Sequence, residues 1–144
     1  MNVVVNGRFL KRQITGVERY STEILRCLQD RMRVVLPRRW SHGLSGHLWE
    51  QLVLPRHLQH SDLLWSPANS GPLFVRRQVL TLHDISPLEH PQWFTPTFAG
   101  WYGLFLPVLL RMVQRIVVSS NYMREKLLSR FGMSGDRIAV APGG

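Results

Sequence analysis

The sequence predicts an α/β fold, a Rossmann-like domain with a mostly parallel sheet covered by helices on both faces. Three observations carry this. Short β-branched runs, NVVVN at 2–6, MRVVLP at 32–37 and RIVVSS at 115–120, alternate with segments of helical periodicity. A chain of 144 residues with 44% hydrophobic content can bury one full-sized core and does not ask for two. Polar residues gather where strands stop, most clearly in VLTLHDISPLEHPQWF at 79–94, and an open α/β sheet binds ligands outside the carboxyl ends of its strands.

The first strand, 2–6, leads through a polar loop to a helix from Gly16 to Asp30. Thr15 and Glu18 have capping-box spacing, which fixes that helix start. Residues 32–37 form a second strand, 40–47 a glycine-containing loop, and Trp49 to Leu58 a helix that Pro55 kinks or splits. DLLWSP at 62–67 is a third strand, Asn69 to Pro72 a turn, and Gln78 to Leu82 a fourth strand. The prolines of Ser86-Pro87 and His90-Pro91 predict an extended lip, because the residue before a proline avoids the helical region. From Thr97 to Gln114, Phe98, Trp101, Tyr102, Phe105, Leu109 and Val113 recur at helical spacing, which predicts a helix bent at Pro107 with Trp101 and Phe105 in the core. A fifth strand (115–120), a helix from Asn121 to Phe131 stopped by Gly132, and a sixth strand (137–142) complete the pattern. Residues 1–142 form the expected domain, and Gly143-Gly144 reads as the start of an interdomain linker.

The net charge is +9, but the arginines are scattered, with only Arg38-Arg39 and Arg76-Arg77 adjacent, so no nucleic-acid stripe or tail is present. Cys27, the only cysteine, fits a reducing compartment and reads as a small buried hydrophobe on the first helix. The apolar run at the N-terminus is too short for a secretory signal, which points to the cytoplasm, and the uncharged stretch 98–110 is too short and too interrupted to span a membrane. His57 and His60 have ligand-like spacing without a cysteine pair or carboxylate array, so no metal site is expected. No serine sits in a nucleophile elbow.

The loop from Asn6-Gly7 to Thr15-Gly16 joins a strand end to a helix N-terminus, where free amides and the helix dipole favour an anion, although its spacing matches no dinucleotide or P-loop fingerprint. His83 can donate and accept hydrogen bonds near neutrality, and Asp84 can orient its ring or accept a hydroxyl. On spacing alone, Asp84 caps a turn and His83 is a satisfied core residue. Glu50 and Gln51 read as a solvated helix face, and Ser119 and Ser120 as helix caps that can also line a cleft. The aromatic row Trp93, Phe94, Phe98, Trp101, Tyr102 and Phe105 reads as core; a partly exposed face there would suit a polyprenyl-linked acceptor at a membrane.

Read together, VLTLHDISPLEHPQWF, ITGVERY at 14–20, WEQLVLP at 49–55 and VAPGG at 140–144 resemble the N-terminal half of a family 4 (group 1) glycosyltransferase, over nearly the whole chain. The resemblance implies one half of the two-domain architecture called GT-B. It implies transfer of a sugar from a nucleotide sugar to a saccharide or lipid-linked hydroxyl with retention of configuration and without a metal or other cofactor. The donor is held by a C-terminal domain that this sequence does not contain. Carried onto this chain, it assigns the donor diphosphate to the neighbourhood of Thr15 and Gly16, where relatives carry a glycine pair or G-x-G and this sequence has Gly16-Val17-Glu18. It assigns His83, with Asp84 second, to the cleft near the donor sugar, and Ser119 to the cleft lining. The expected partners are the nucleotide sugar, the acceptor, the missing half in trans and a peripheral membrane surface, with no nucleic acid. Two other readings stand beside it: a truncated or split-gene fragment without activity, and a Rossmann-like phosphate- or nucleotide-binding protein.

Overall fold

Parallel strands cannot be joined by hairpins, so each must be followed by a crossover, and the chain obeys that rule throughout. The computed structural model describes residues 2–11, 15–39 and 43–142. Its elements run β1 (Val3–Asn6), α1 (Gly16–Leu28), β2 (Met32–Val35), α2 (Gly43–Leu48), β3 (Leu63–Ser66), β4 (Gln78–Thr81), α3 (Ser86–Glu89), α4 (Pro96–Met112), β5 (Arg115–Val118), α5 (Asn121–Phe131) and β6 (Ile138–Val140). The strands form one six-stranded sheet in the order β2-β1-β3-β4-β5-β6, parallel at every pairing. This is an α/β Rossmann-like fold, as the strand and helix alternation predicts. The expected linker at 143–144 and positions 40–42 of the expected loop lie outside the described residues.

Strand periodicity explains how the sheet is covered on two faces. Val4 and Leu64 pack with Trp49 and Leu54, whereas their neighbours Val5 and Trp65 pack with Leu25 of α1 and with Phe9. Farther along the sheet, Leu80, Ile116, Val118 and Ile138 meet Tyr102, Phe105, Leu106 and Leu109 of α4 and Leu127 of α5 in the largest cluster. The caps are local and legible: Thr95 Oγ1 accepts from the Phe98 amide at 3.2 Å, Ser120 Oγ accepts from the Met123 amide at 3.2 Å, and Gly132 ends α5 at φ 61°.

Several expectations are corrected. The 43–48 segment is helical where a loop is expected; after it the chain runs through a π-helical turn (Trp49–Val53) and a 3₁₀ turn (Leu54–His57) with Pro55 in its first positions, so the expected split at Pro55 is present. The expected extended lip contains the short helix α3: Pro87 falls in its first turn, where a missing amide costs nothing, and Asp84 Oδ1 accepts from the Ser86 amide at 2.8 Å. Phe105 is buried, but Trp101 is 40% exposed, because the aromatic row wraps around α4 farther than its core face extends. Cys27 is exposed, two positions past the core-facing Leu25, which turns it away from the buried face of α1.

Gly71 is set by a close approach. A Cβ there would lie 2.0 Å from Gln78 Oε1 and 2.8 Å from Ser66 Oγ. Gln78 cannot yield, since its side chain also donates to the carbonyls of Pro72 at 2.8 Å and Val75 at 3.0 Å. Gly71→Ala should therefore lower unfolding free energy by about 1–3 kcal/mol, measured by urea denaturation. Gly16→Ala, with nothing within 4 Å of its added carbon, serves as the near-neutral comparison.

Candidate functional site

The strand order places a reversal between β1 and β3: from β1 the chain steps to β2 on one side, then returns to the other side for β3. At such a point the loops leaving neighbouring strands diverge and open a crevice at the carboxyl ends. A cleft of about 760 Å³ lies there. Arg8, Thr15, Val17 and Glu18 line it from the segments after β1, Ala68, Asn69 and Ser70 from the loop after β3, and Asp84 and Pro87 from the segment after β4. His47 of α2 and Phe94, Phe98, Trp101 and Tyr102 on and before α4 complete the walls.

Beneath the cleft is a buried polar network that local sequence does not reveal. Glu50 is 1% exposed and lies opposite the Arg8 guanidinium, with 3.7 Å between Arg8 Nη1 and Glu50 Oε1. Asn6 Nδ2 donates to Glu50 Oε2 at 2.9 Å and Ser70 Oγ donates to Glu50 Oε1 at 2.5 Å. Asn6 Nδ2 also reaches Ser66 Oγ at 3.4 Å, and Ser66 donates in turn to Gln78 Oε1 at 2.7 Å. Arg8 extends to His47 Nδ1 at 3.4 Å and to the Gly43 carbonyl at 3.5 Å, tying α2 to the end of β1. Next door, Gln51 bridges Gly71 O at 3.0 Å and the Leu73 amide at 2.8 Å. The expectation of a solvated face at Glu50 and Gln51 is thus overturned: Glu50 ties the loop after β3 to the end of β1, and Gln51 holds that same loop against its own helical turn. Local sequence carries no signal of this, because the partners of both side chains lie on other segments.

Asn69 joins the two sides of the site. It adopts a left-handed conformation at φ 64°, which its short polar side chain tolerates. Its Oδ1 accepts from the His83 amide at 2.6 Å, its carbonyl accepts from the Tyr102 hydroxyl at 3.2 Å, and its amide donates to Thr81 O at 3.2 Å.

The five residues singled out from the sequence fall in different places. Thr15 and Asp84 line the cleft. The Thr15 amide donates to Glu18 Oε2 at 3.2 Å and its hydroxyl contacts the same oxygen, so the Thr15–Glu18 pair closes on itself at the helix entry. Asp84 is exposed, and its Oδ1 is taken up by the Ser86 amide and hydroxyl, at 2.8 Å and 2.5 Å. Gly16 opens α1, and Ser119 is an exposed residue after β5; neither is among the residues lining the cleft. His83 stands behind the loop after β3, half-buried, with Nε2 at 2.8 Å from Pro67 O and Tyr20 of α1 edge-on to its ring at 5.0 Å. A carbonyl partner requires Nε2 to carry the proton, leaving Nδ1 to accept. Burial holds the His83 pKa below its ordinary value, against the opposing pull of the Pro67 carbonyl and the Glu18 charge. Among the described residues, no group of three or more His, Cys, Asp or Glu side chains could hold a metal ion.

Two outcomes follow from this geometry. Removing one partner of a buried ion pair strands the other, so Glu50→Ala should cost about 3–5 kcal/mol, and Glu50→Gln, which strands the Arg8 charge equally but keeps the side-chain volume and one acceptor oxygen for Asn6 or Ser70, should cost less than Glu50→Ala, by denaturant titration. For His83, the depressed pKa means that the folded chain refuses a proton that the unfolded chain accepts. The stability associated with a neutral His83 is present above pH 6.5 and is lost as pH falls from 6.5 through the lower folded-state value. Urea midpoints measured across this range should fall less steeply in His83→Gln than in the parent chain.

A family model, Glycosyltransferase Family 4, matches residues 33–144. Comparison with curated proteins and with solved structures gives no match. The matched part begins in β2 and takes in α2, the loop after β3, the His83-Asp84 segment and α4, hence most of the cleft's walls, with β1 completing the same sheet and α1 packed on it. A match over that much of the sequence assigns a glycosyltransferase-type function, and the chain belongs to glycosyltransferase family 4.

Proposed function

We propose that this domain is the acceptor-side half of a retaining glycosyltransferase and that its cleft receives a saccharide or lipid-linked hydroxyl acceptor. The observation that carries the reading is that one cleft is lined both by stacked aromatics and by polar groups. Phe98 stacks on Tyr102 at 5.8 Å and Trp101 on Phe105 at 5.3 Å, which presents apolar faces of the kind sugar rings lie against. In the same lining, Asp84, Thr15 and Glu18 offer oxygens to hydroxyl groups. In this reading Asp84 orients the acceptor hydroxyl through its second carboxylate oxygen, and the neutral His83 supplies its Nδ1 lone pair near the donor sugar. The entry of α1 at Thr15 and Gly16, where the helix dipole is positive, faces the diphosphate of a nucleotide sugar carried by a second domain through the Gly16 amide, the Thr15 amide being held by Glu18, and Ser119 extends the same rim. The leaving diphosphate departs with the electrons of the cleaved anomeric carbon–oxygen bond while the acceptor oxygen forms the new bond to that carbon and gives its proton to the departing phosphate oxygen. No metal enters this scheme. The lone Cys27 and the use of a nucleotide sugar are in keeping with a cytoplasmic site of action.

Holding donor and acceptor together supplies about 7–11 kcal/mol of barrier lowering, and one wall of a cleft cannot hold both. The 144-residue chain alone should therefore show no sugar transfer from a nucleotide sugar. Addition of a family 4 donor domain as a separate polypeptide should restore transfer, and Asp84→Asn and His83→Gln should then each reduce turnover by about 10²–10⁴-fold in chains that remain folded at pH 8 by circular dichroism. Full activity of both variants in the restored enzyme would remove these residues from the chemistry, and transfer by the chain alone would refute the half-enzyme reading.

A further inference from the structure

α4 is apolar nearly all the way round. Its inner face, Tyr102, Phe105, Leu106, Leu109 and Leu110, is buried in the largest core cluster. Its outer face carries Trp101, Leu104 and Val108, which are 40%, 77% and 46% exposed. These three and Arg111 recur at helical spacing, so they form one stripe along a helix of 17 residues, roughly 25 Å in length. A helix that is hydrophobic on every side ordinarily has something covering its outer face, and among the described residues no helix is long and apolar enough to cross a membrane.

The ends of the stripe define what covers it. At one end Trp101 is part of the cleft mouth. At the other, Arg111 joins Arg76, Arg77, Met112 and Gln114 around an open groove of about 610 Å³ at the amino-terminal edge of β4 and β5, opposite the cleft. Neither the outer face of α4 nor the groove lining includes a carboxylate. Phe74, 83% exposed, lies in the loop that leads into Arg76. An apolar strip ending in a cluster of arginines matches the two layers of an anionic lipid surface, acyl boundary and phosphate headgroups.

We propose that the outer face of α4 and the Arg76-Arg77-Arg111 groove form a docking surface for an anionic membrane. Leu104 and Val108 enter the interface, the three arginines pair with headgroup phosphates, and the chain's charge of +9 strengthens the encounter. Lying on the membrane by this face sets the cleft mouth, through Trp101, beside the lipid surface. The proposal stands whether or not the cleft transfers a sugar.

The test is co-sedimentation of the 144-residue chain with vesicles of phosphatidylcholine alone or mixed with phosphatidylglycerol. Binding to the mixed vesicles should be at least about tenfold tighter and should weaken with salt. R76Q/R77Q/R111Q should lower it by roughly a hundredfold. L104S/V108S should lower it by about tenfold or more with an unchanged circular dichroism spectrum, since both residues are exposed. R19Q/R31Q/R56Q, which removes the same charge from exposed positions elsewhere, should stay within about threefold of the parent. Absence of binding to the anionic vesicles, equal binding to neutral ones, or equal losses in the two arginine triples would overturn the proposal. So would a dimer in sedimentation equilibrium that L104S/V108S dissociates, because the stripe would then seat a second copy of this chain.

Discussion

A parallel sheet that reverses its winding direction leaves a gap at the reversal, and this chain fills the gap with charge. The Arg8–Glu50 pair, with Asn6, Ser66 and Ser70 around it, occupies the space between the ends of β1 and β3 where an apolar side chain would do as well for packing alone. Two desolvated charges are expensive unless most of their hydrogen-bonding capacity is met. Meeting it fixes distant parts of the chain relative to one another: the end of β1, the start of α2, the π-helical turn and the loop after β3. The floor of the cleft is rigid for that reason, and its walls inherit their positions from it.

Asn69 carries that rigidity upward. Ser70 is bonded to Glu50 below, while Asn69 beside it holds the His83 amide and the Tyr102 hydroxyl. The polar side of the cleft and the aromatic side are thereby registered through one residue in a conformation that most side chains avoid. Ligand binding at such a site involves little reorganisation of the floor, and whatever closure the domain undergoes falls to elements outside this network.

What the sequence disclosed follows from how local each feature is. The strand and helix alternation and the Ser120 and Gly132 caps rest on interactions between residues near in the chain and could be read directly, and the parallel character of the sheet follows from that alternation, since a helix between two strands serves as the crossover that parallel pairing needs. The resemblance carried by HDISPLEHPQWF, ITGVERY and WEQLVLP reached the family. Glu50 was misread because its partners lie 44 residues before it and 20 after it, and the helical context of WEQLV looks the same whether the face is wet or dry. Trp101 was misread for a related reason: periodicity tells which residues share a helix face, and in a helix apolar on every side it no longer tells which face is inward. The proline rule failed at Ser86-Pro87, where a carboxylate two residues upstream supplied a cap strong enough to start a helical turn.

The buried pair also orders events in time. During synthesis β1 and β2 can meet once about a quarter of the chain has emerged, since their pairing involves only Val3 to Val35. Arg8, which is 4% exposed in the finished domain, then has no Glu50 to turn to. Half of the sheet's interior edge is equally incomplete until β3 arrives to pair with β1. A nascent β1-α1-β2 unit thus exposes an uncompensated cation and an open strand edge. The natural moment for the first third of the chain to become native is after Ser66 and Ser70 clear the ribosome, when the partners for Asn6, Arg8 and Glu50 are in reach together.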